Sequence, residues 1–537
     1  MSPSPESIAI HSPLSIVAEL FASSTDSTTD FFSRVSKQFS AVLADHAQSI
    51  PRLEEVEQRG KLVRFRCMVQ DTGLANEVYV LDIGGENGRG CCAFSEGPAS
   101  GSPILGYDST DYSKLRERQV VYATSVPGET DWYKSSLRHS KSEDEADEVA
   151  AQMQAHLSVS ESAPRYAAPP SLASKYPFPT HPHTGALVKL YPSNAGDTSS
   201  PKTTEIVEFV GILDYAYFPS ATTEETQASN GELVKTIHSI YRIPIAKKQG
   251  SAGILPGSQE WHSARSQLIG HMAKRMDGDR LAAEFLLLAL YGHIHARRGA
   301  LALGQLPLNL VLTSSMSTTL PSALLAILNI LLPRIARLDL SIAELNSSTY
   351  APQSRDENLA SGMLQLPEET TLFIDETAMG EGTLKDRGVR NVQALTRIVT
   401  DQTIDYIFPY STFTFETDLK VVVLSKGYSL LPIECRVPVR PSDASEVVVQ
   451  PNEQQIMRWR EMLSFQPGSD FLIPDEISEH IQSDFVDSRQ NKAVTQEDLV
   501  LRLTLARLLA ISLGKDRLDI EVWSRTKELD EDRKGRR

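Results

Sequence analysis

Four cysteines in 537 residues (Cys67, Cys91, Cys92 and Cys435) are too few and too scattered for a disulfide framework. Cys91 and Cys92 are adjacent and have no second ligand pair at zinc spacing, so no metal site is expected. A basic excess is also missing. Asp and Glu number 69 against 53 Lys and Arg, a formal charge of −16. That argues against broad, sequence-independent DNA binding, which depends on neutralising phosphates. No apolar run reaches membrane-spanning length; "LLAILNILL" is far too short. The first residues lack the basic start and cleavage pattern of a secretory signal. The expectation is a soluble, intracellular chain with no membrane contact, no metal and no cofactor. His181 and His183 lie in the Pro-rich "FPTHPHT" and are expected in a solvated loop.

What is present is enough apolar residue, 41%, for large buried cores, and enough length for roughly three or four domains. "FFSRVSKQFSAVLADHA" (31–47) has helical apolar spacing, within an N-terminal helical segment over 1–55. Strand-like stretches follow at 62–71, 77–84, 118–126, 186–192 and 204–218. About five strands is the count of an OB-type barrel, expected over 56–133 and 185–220. "EIVEFVGIL" reads as a late barrel strand whose glycine allows a sharp bend. The Ser-, Pro- and acid-rich stretch 134–184 reads as a disordered insertion. An OB barrel can bind single strands through aromatics beside basic residues, and Arg64, Phe65 and Arg66 fit that description. The competing and preferred reading makes Phe65 core and the two arginines a solvated strand face.

From about residue 236 strands alternate with helices, which predicts an α/β sheet domain to residue 445 and a helical domain over 446–537. "DRLAAEFLLLALYGHIHARRG" (279–299) is apolar almost all round and should be buried. "TTLFIDET" (370–377) is a strand ending in two carboxylates, "TIDYIFPYSTFTFE" a hairpin, and "LKVVVLSKG" (419–427) a buried parallel strand. In "VTQEDLVLRLTLARLLAISL", Thr495 and Asp498 have capping-box spacing.

One absence bears on chemistry. "LNLVLTSSMSTTLPSALLAIL" (308–328) has the rhythm of a nucleotide-binding strand, loop and helix. Yet no glycine lies between Gly304 and Gly362, and no lysine between Lys274 and Lys385. A phosphate loop needs glycines so that its N–H groups can curl round the anion, and a lysine for the β/γ-phosphates. No shift of register supplies either. The hydroxyls of Ser317, Thr318 and Thr319 suit a helix cap instead, with Pro321 in the first turn. Asp375 and Glu376 keep the identities that orient Mg²⁺ and water in ATPases, but without the cradle no catalytic residue is assigned.

These blocks resemble known proteins. The layout of 308–334, the preceding helix, "TLFIDET" and "LKVVVLSKG" is similar to that of minichromosome maintenance (MCM) helicase subunits. Against that pattern Ser425 and Lys426 replace an expected Asn, an expected lid arginine near Glu497 is missing, and an "SRFD" arginine-finger element is absent, although Arg436 and Arg440 lie nearby. A fuller match comes from "LVRFRCMVQD", "VEFVGIL", "DRLAAEFLLLALYGHIHARRGALALGQLPLNL", "GMLQLPEETTLFIDET" and "LKVVVLSKGYSLLP" together. By these the chain resembles the MCM complex-binding protein family over about residues 60–435.

That resemblance implies an α+β multidomain protein: an OB-like barrel with a disordered insertion, a degenerate MCM/AAA+-like α/β domain, and a C-terminal helical lid. It implies a nuclear, non-catalytic partner of MCM helicase subunits, bound in place of one ring member. Support of hexamer assembly or stability, release of the complex from chromatin, and a link to sister-chromatid cohesion would follow. Chromatin association would be indirect. The basic tail "DRKGRR" has the composition of a nuclear signal. Two rivals remain: a single-stranded-DNA-binding OB protein, and a divergent ATPase.

Overall fold

The computed structural model describes residues 4–23, 28–44, 46, 49–85, 88–96, 115–137, 167–192, 200–219, 232–243, 245, 254–299, 301–313, 319–355, 358–441, 450–466, 471–490 and 495–536. The architecture is mixed α and β, with several sheets and flanking helices. Three helices open the chain: α1 (Pro5–His11), α2 (Pro13–Ala22) and α3 (Thr28–Val42). Their Val17, Phe21, Phe31, Phe32 and Phe39 pack against Tyr79, Val210 and Ile212 of the first sheet.

That sheet contains β1 (Leu62–Asp71), β2 (Glu77–Val80), β3 (Leu115–Thr124), β4 (Gly185–Leu190), β5 (Ile206–Tyr217) and β6 (Leu233–Ile243). Five of the six pair in a closed ring, β1–β3–β4–β6–β5 and back to β1. Only β4 and β6 run parallel. β2 pairs with β3 outside the ring. Each ring strand sends alternate residues inward, so Val63, Phe65, Cys67, Val121, Val188, Phe209 and Ile237 form one core.

Two expectations need correction here. The expected five strands include 77–84, and the expected unit ends at 220. The fifth ring member is instead β6, "LVKTIHSIYRI", which crosses the expected boundary at 236. It is hard to recognise because Lys235, Thr236, His238 and Ser239 are polar yet buried. Lys235, Thr236 and His238 have partners inside. Lys235 Nζ, for instance, donates to the carbonyls of Leu53 (2.9 Å) and Val56 (2.7 Å). The second correction concerns the stretch expected to be a disordered insertion over 134–184. Residues 138–166 lie outside the described residues, but 167–184 are ordered against the ring. Leu172 packs with Val120, Tyr122, Leu187 and Phe218. Lys175 makes a buried ion pair with Asp71 at 2.8 Å. His183 is not solvated: it is 4% exposed and stacks on Tyr176 at 4.5 Å.

The second half begins with α4 (Gln259–Arg275) and α5 (Arg280–Tyr291). Asp279 caps α5 by accepting from Ala282 N at 3.0 Å. As its all-round apolar character requires, Phe285 to Leu288 have no exposure at all. Then follow β7 (Leu308–Val311), α6 (Leu320–Leu331), β8 (Ile335–Asp339), β9 (Thr371–Asp375), α7 (Asp386–Thr400), the hairpin β10 (Thr403–Ile407) and β11 (Thr412–Glu416), β12 (Lys420–Ser425) and β13 (Cys435–Pro438). β7, β8, β9, β12 and β13 make one parallel sheet in the order β8-β9-β12-β7-β13. Covered on both faces, the central β9 and β12 are buried almost throughout, whereas the edge strand β8 exposes Arg337 and Asp339.

Four helices close the chain: α8 (Glu453–Ser464), α9 (Asp475–Gln490), α10 (Gln496–Ser512) and α11 (Ile520–Lys534). Thr495 and Asp498 form the expected capping box at the start of α10. These helices do not pack apart from the α/β unit. Trp459, Met462, Leu505, Leu509 and Trp523 share one core with α4, α5, α6 and β7. Trp261 Nε1 donates to Ser512 O at 2.9 Å and Tyr291 OH to Met462 O at 2.9 Å. The two halves also lock together. Gln365 Nε2 donates to Gln70 O at 2.8 Å, and Ile335 N donates to Gly128 O at 2.8 Å. Gly128 has φ +72°, and a Cβ there would sit 2.8 Å from Ile335 O, so this junction requires glycine.

Candidate functional site

The candidate site lies at the carboxyl ends of β7, β9 and β12, where strand order reverses around β7 and parallel sheets place their ligands. Of the residues expected in the loop after β7, Ser317 and Thr318 lie outside the described residues. Thr319 stands at the N-cap of α6 with helical backbone angles, and its side chain makes no capping hydrogen bond. The hydroxyl cap expected at that position is therefore not formed by Thr319. Pro321 does sit in the first turn, as expected, where its missing N–H costs nothing.

Asp375 and Glu376 are 7% and 5% exposed and sit together at the end of β9. Both carboxylates have partners within the protein. Asp375 Oδ1 accepts from Thr377 N (2.9 Å) and Thr377 Oγ1 (2.6 Å), and Oδ2 lies 3.8 Å from Arg337. Glu376 accepts from Ser429 Oγ (3.0 Å) and Leu430 N (3.3 Å). Burial raises the Glu376 carboxyl above its ordinary range, and those two hydrogen bonds oppose the rise only in part.

On the neighbouring strand, Ser425 Oγ donates to Asn309 Oδ1 at 2.9 Å. That pair fills the space between β12 and β7 with a neutral contact. Lys426 is exposed, beyond the strand end. Arg436 stacks over Tyr428 at 4.4 Å, and the Arg440 backbone N–H is held by Asp279 at 2.8 Å. The sequence reading missed Arg337, Asn309, Ser429 and Leu430 as partners. Only Asn309 had a visible signal, a polar residue inside a buried apolar strand. Among the described residues no group of three or more His, Cys, Asp or Glu is placed to hold a metal. A small cavity of about 80 Å³, lined by Glu260, Gln267, Arg458 and Trp459, belongs to α4 and α8 rather than to the strand ends.

The ring sheet held the other candidate. Phe65 is 1% exposed in the ring core. The arginines do not form a solvated face: Arg64 is 8% exposed and lies 3.6 Å from Glu208. Arg66 pairs with Glu129 and covers the Tyr133 ring. All three side chains are engaged within the protein. Leu172 from the 167–184 segment packs on Val120 and Tyr122 of β3 and Leu187 of β4. Beneath α3 the same sheet buries a charge cluster. Lys189 lies 2.7 Å from Glu77 and 2.5 Å from Glu96, and Arg118 lies 2.8 Å from Glu77. Burial pushes the Glu96 carboxyl up, but the His238 hydrogen bond and the Lys189 and Arg118 charges prevail and hold it at about 2.

With this geometry in place, sequence comparison adds the relatives. The family model described as Mini-chromosome maintenance replisome factor matches residues 39–161 and 139–537. The chain is 29% identical to a Mini-chromosome maintenance complex-binding protein of Danio rerio, over 97% of this chain and 96% of that protein. It is 27% identical to the protein of the same name from Homo sapiens, over 98% and 97%. To that of Drosophila melanogaster it is 29% identical, over 88% and 89%.

Proposed function

This chain belongs to the Mini-chromosome maintenance replisome factor family, and on that footing we propose that it is a non-catalytic protein that binds MCM helicase subunits. The observation that carries this reading is the contrast at the ends of β7 and β9. The parallel sheet is intact, while the loop after β7 has no glycine or lysine, Asp375 is bound to Thr377 of its own loop and Glu376 to Ser429 and Leu430 of the loop after β12. We read the sheet as a degenerate AAA+-like domain that keeps the shape needed to sit beside a working subunit. The closed five-strand ring we read as an OB-like barrel, and the last four helices as the counterpart of a lid.

In the same reading the protein acts in the nucleus, supports assembly or stability of the MCM hexamer, and aids its release from chromatin during replication. Its link to sister-chromatid cohesion follows through that complex, and its chromatin association is indirect. The engaged Arg64, Phe65 and Arg66 support the absence of direct nucleic-acid binding. Capture of MCM subunits from nuclear extract at physiological salt is the test; recovery of none overturns the proposal. ATP turnover that disappears in Asp375→Asn would reinstate an ATPase. Salt-sensitive single-strand binding lost in Arg64→Ala with Phe65→Ala would favour the DNA-binding reading.

A further inference from the structure

The hairpin β10–β11 ends its sheet in an open edge. β11 is exposed along its whole length, with Phe413 55% and Phe415 42% accessible, and Tyr410 at the turn fully so. Edges of this kind are usually blunted by Lys, Pro, a bulge or a covering element. "TFTFE" contains neither Lys nor Pro, its ladder with β10 is regular, and among the described residues no other strand pairs with it.

The register says which groups the edge offers. Thr417 N donates to Gln402 O and Phe408 N to Ser411 O, so inward hydrogen bonds belong to the pairs 402/417, 404/415, 406/413 and 408/411. The N–H and C=O groups of Thr412, Thr414 and Glu416 therefore point outward. Side chains alternate across the strand. Phe413 and Phe415 share one face with Tyr406 and Phe408, at 4.6 Å for Phe415–Tyr406 and 5.7 Å for Phe413–Phe408. Thr414 lies on the other face, donating to Asp405 at 2.7 Å.

We propose that this edge pairs with the same edge of a second copy of the chain, antiparallel, about a two-fold axis through Thr414. The short sequence is self-complementary in that register. Thr414 faces Thr414 and Thr412 faces Glu416, so the outward groups of one copy meet those of the other, each pair exchanging two N–H···O bonds. Phe413 faces Phe415 at the closer, non-hydrogen-bonded positions, and the phenylalanines of both copies gather on one face. No like charges stand directly opposite. An isologous contact of this kind closes at two copies. A five-residue edge is short, on the low side of the ~1,200 Å² at which standard interfaces begin, so the dimer is weak and concentration-dependent.

The test is sedimentation equilibrium of the full chain across the micromolar range. Mass should rise with concentration from the 59.2 kDa monomer towards twice that value. Thr414→Pro removes an outward N–H and no ladder bond, a position where an edge strand accepts proline. It should weaken the dimer at least roughly tenfold, with far-UV circular dichroism unchanged. Thr414→Val loses the same hydroxyl but keeps the N–H, and should dimerise like the parent. A chain that stays monomeric throughout overturns the proposal, as does a dimer that Thr414→Pro leaves intact. A monomer whose capture of MCM subunits is lost in Thr414→Pro also overturns it, and assigns the edge to a partner's strand.

Discussion

Two glutamates, one in each half of the molecule, show how differently the halves treat charge. Glu96 lies against the ring sheet among Lys189, Arg118 and His238, and is held at about 2. Glu376 lies at the end of a parallel strand with Ser429 and Leu430 as its hydrogen-bond partners among the described residues, and burial raises it. The first is buried charge with its counter-charges supplied. The second is a buried carboxyl held by a hydroxyl and a backbone N–H, with no cation among the described residues to offset the desolvation. The comparison teaches that burial alone does not set the behaviour of a carboxylate. What matters is what the remaining oxygens face.

Substitution separates the two glutamates most sharply. Glu96→Gln leaves Lys189 and Arg118 buried with too little negative charge, and should cost about 3–5 kcal/mol in urea unfolding at neutral pH. Because the Glu96 folded value lies below its ordinary 4.5, its stabilisation is present above that value and is lost as pH falls towards about 2. The variant should lack that part of the acid transition. Gly211 tests the ring beside this cluster. A Cβ there would stand 2.3 Å from His238 O, at the register shift between Val210 and Gly211. Gly211→Ala should therefore cost up to about 3 kcal/mol, read as a lower unfolding midpoint.

A smaller effect is expected at His183, which burial lowers from 6.5 to about 4. The unfolded chain takes up the proton first, so stability falls as pH drops from about 6.5 to about 4 and is flat below. His183→Phe keeps a ring on Tyr176 and should flatten this limb by roughly 1–2 kcal/mol. The smallest effect is the counterpart of the first. Glu376 is raised, so its contribution is present at low pH and lost as pH rises through the folded value. Glu376→Gln should then be neutral or stabilising at neutral pH, within about 1 kcal/mol. A loss as large as that of Glu96→Gln would mean that Glu376 carries a charge partner, and would erase the contrast.

Much of the second half was legible because parallel strands and buried helices advertise themselves. β12 and α5 are apolar runs, and the Thr495–Asp498 box marks the start of α10. The ring was less legible. β6 carries Lys235 and His238 inward, and the residues that make this tolerable, such as Leu53, Val56 and Glu96, are far away in sequence. The ordered 167–184 segment was hidden for the same reason. Its composition suggests solvent, but Lys175 is buried because Asp71 is there to receive it.

The absence of glycine and lysine from the loop after β7 was decided by sequence alone. No arrangement of backbone can supply glycines or a lysine that the chain does not contain between residues 304 and 362. Where the surviving carboxylates turned was decided only by tertiary structure. The letters Asp375 and Glu376 do not by themselves say which groups their oxygens meet. Their hydrogen bonds to Thr377, Ser429 and Leu430 exist because the chain folds those groups onto the strand end. An ionisable group's behaviour depends on the charges and dipoles within a few ångströms, and only the fold brings these together.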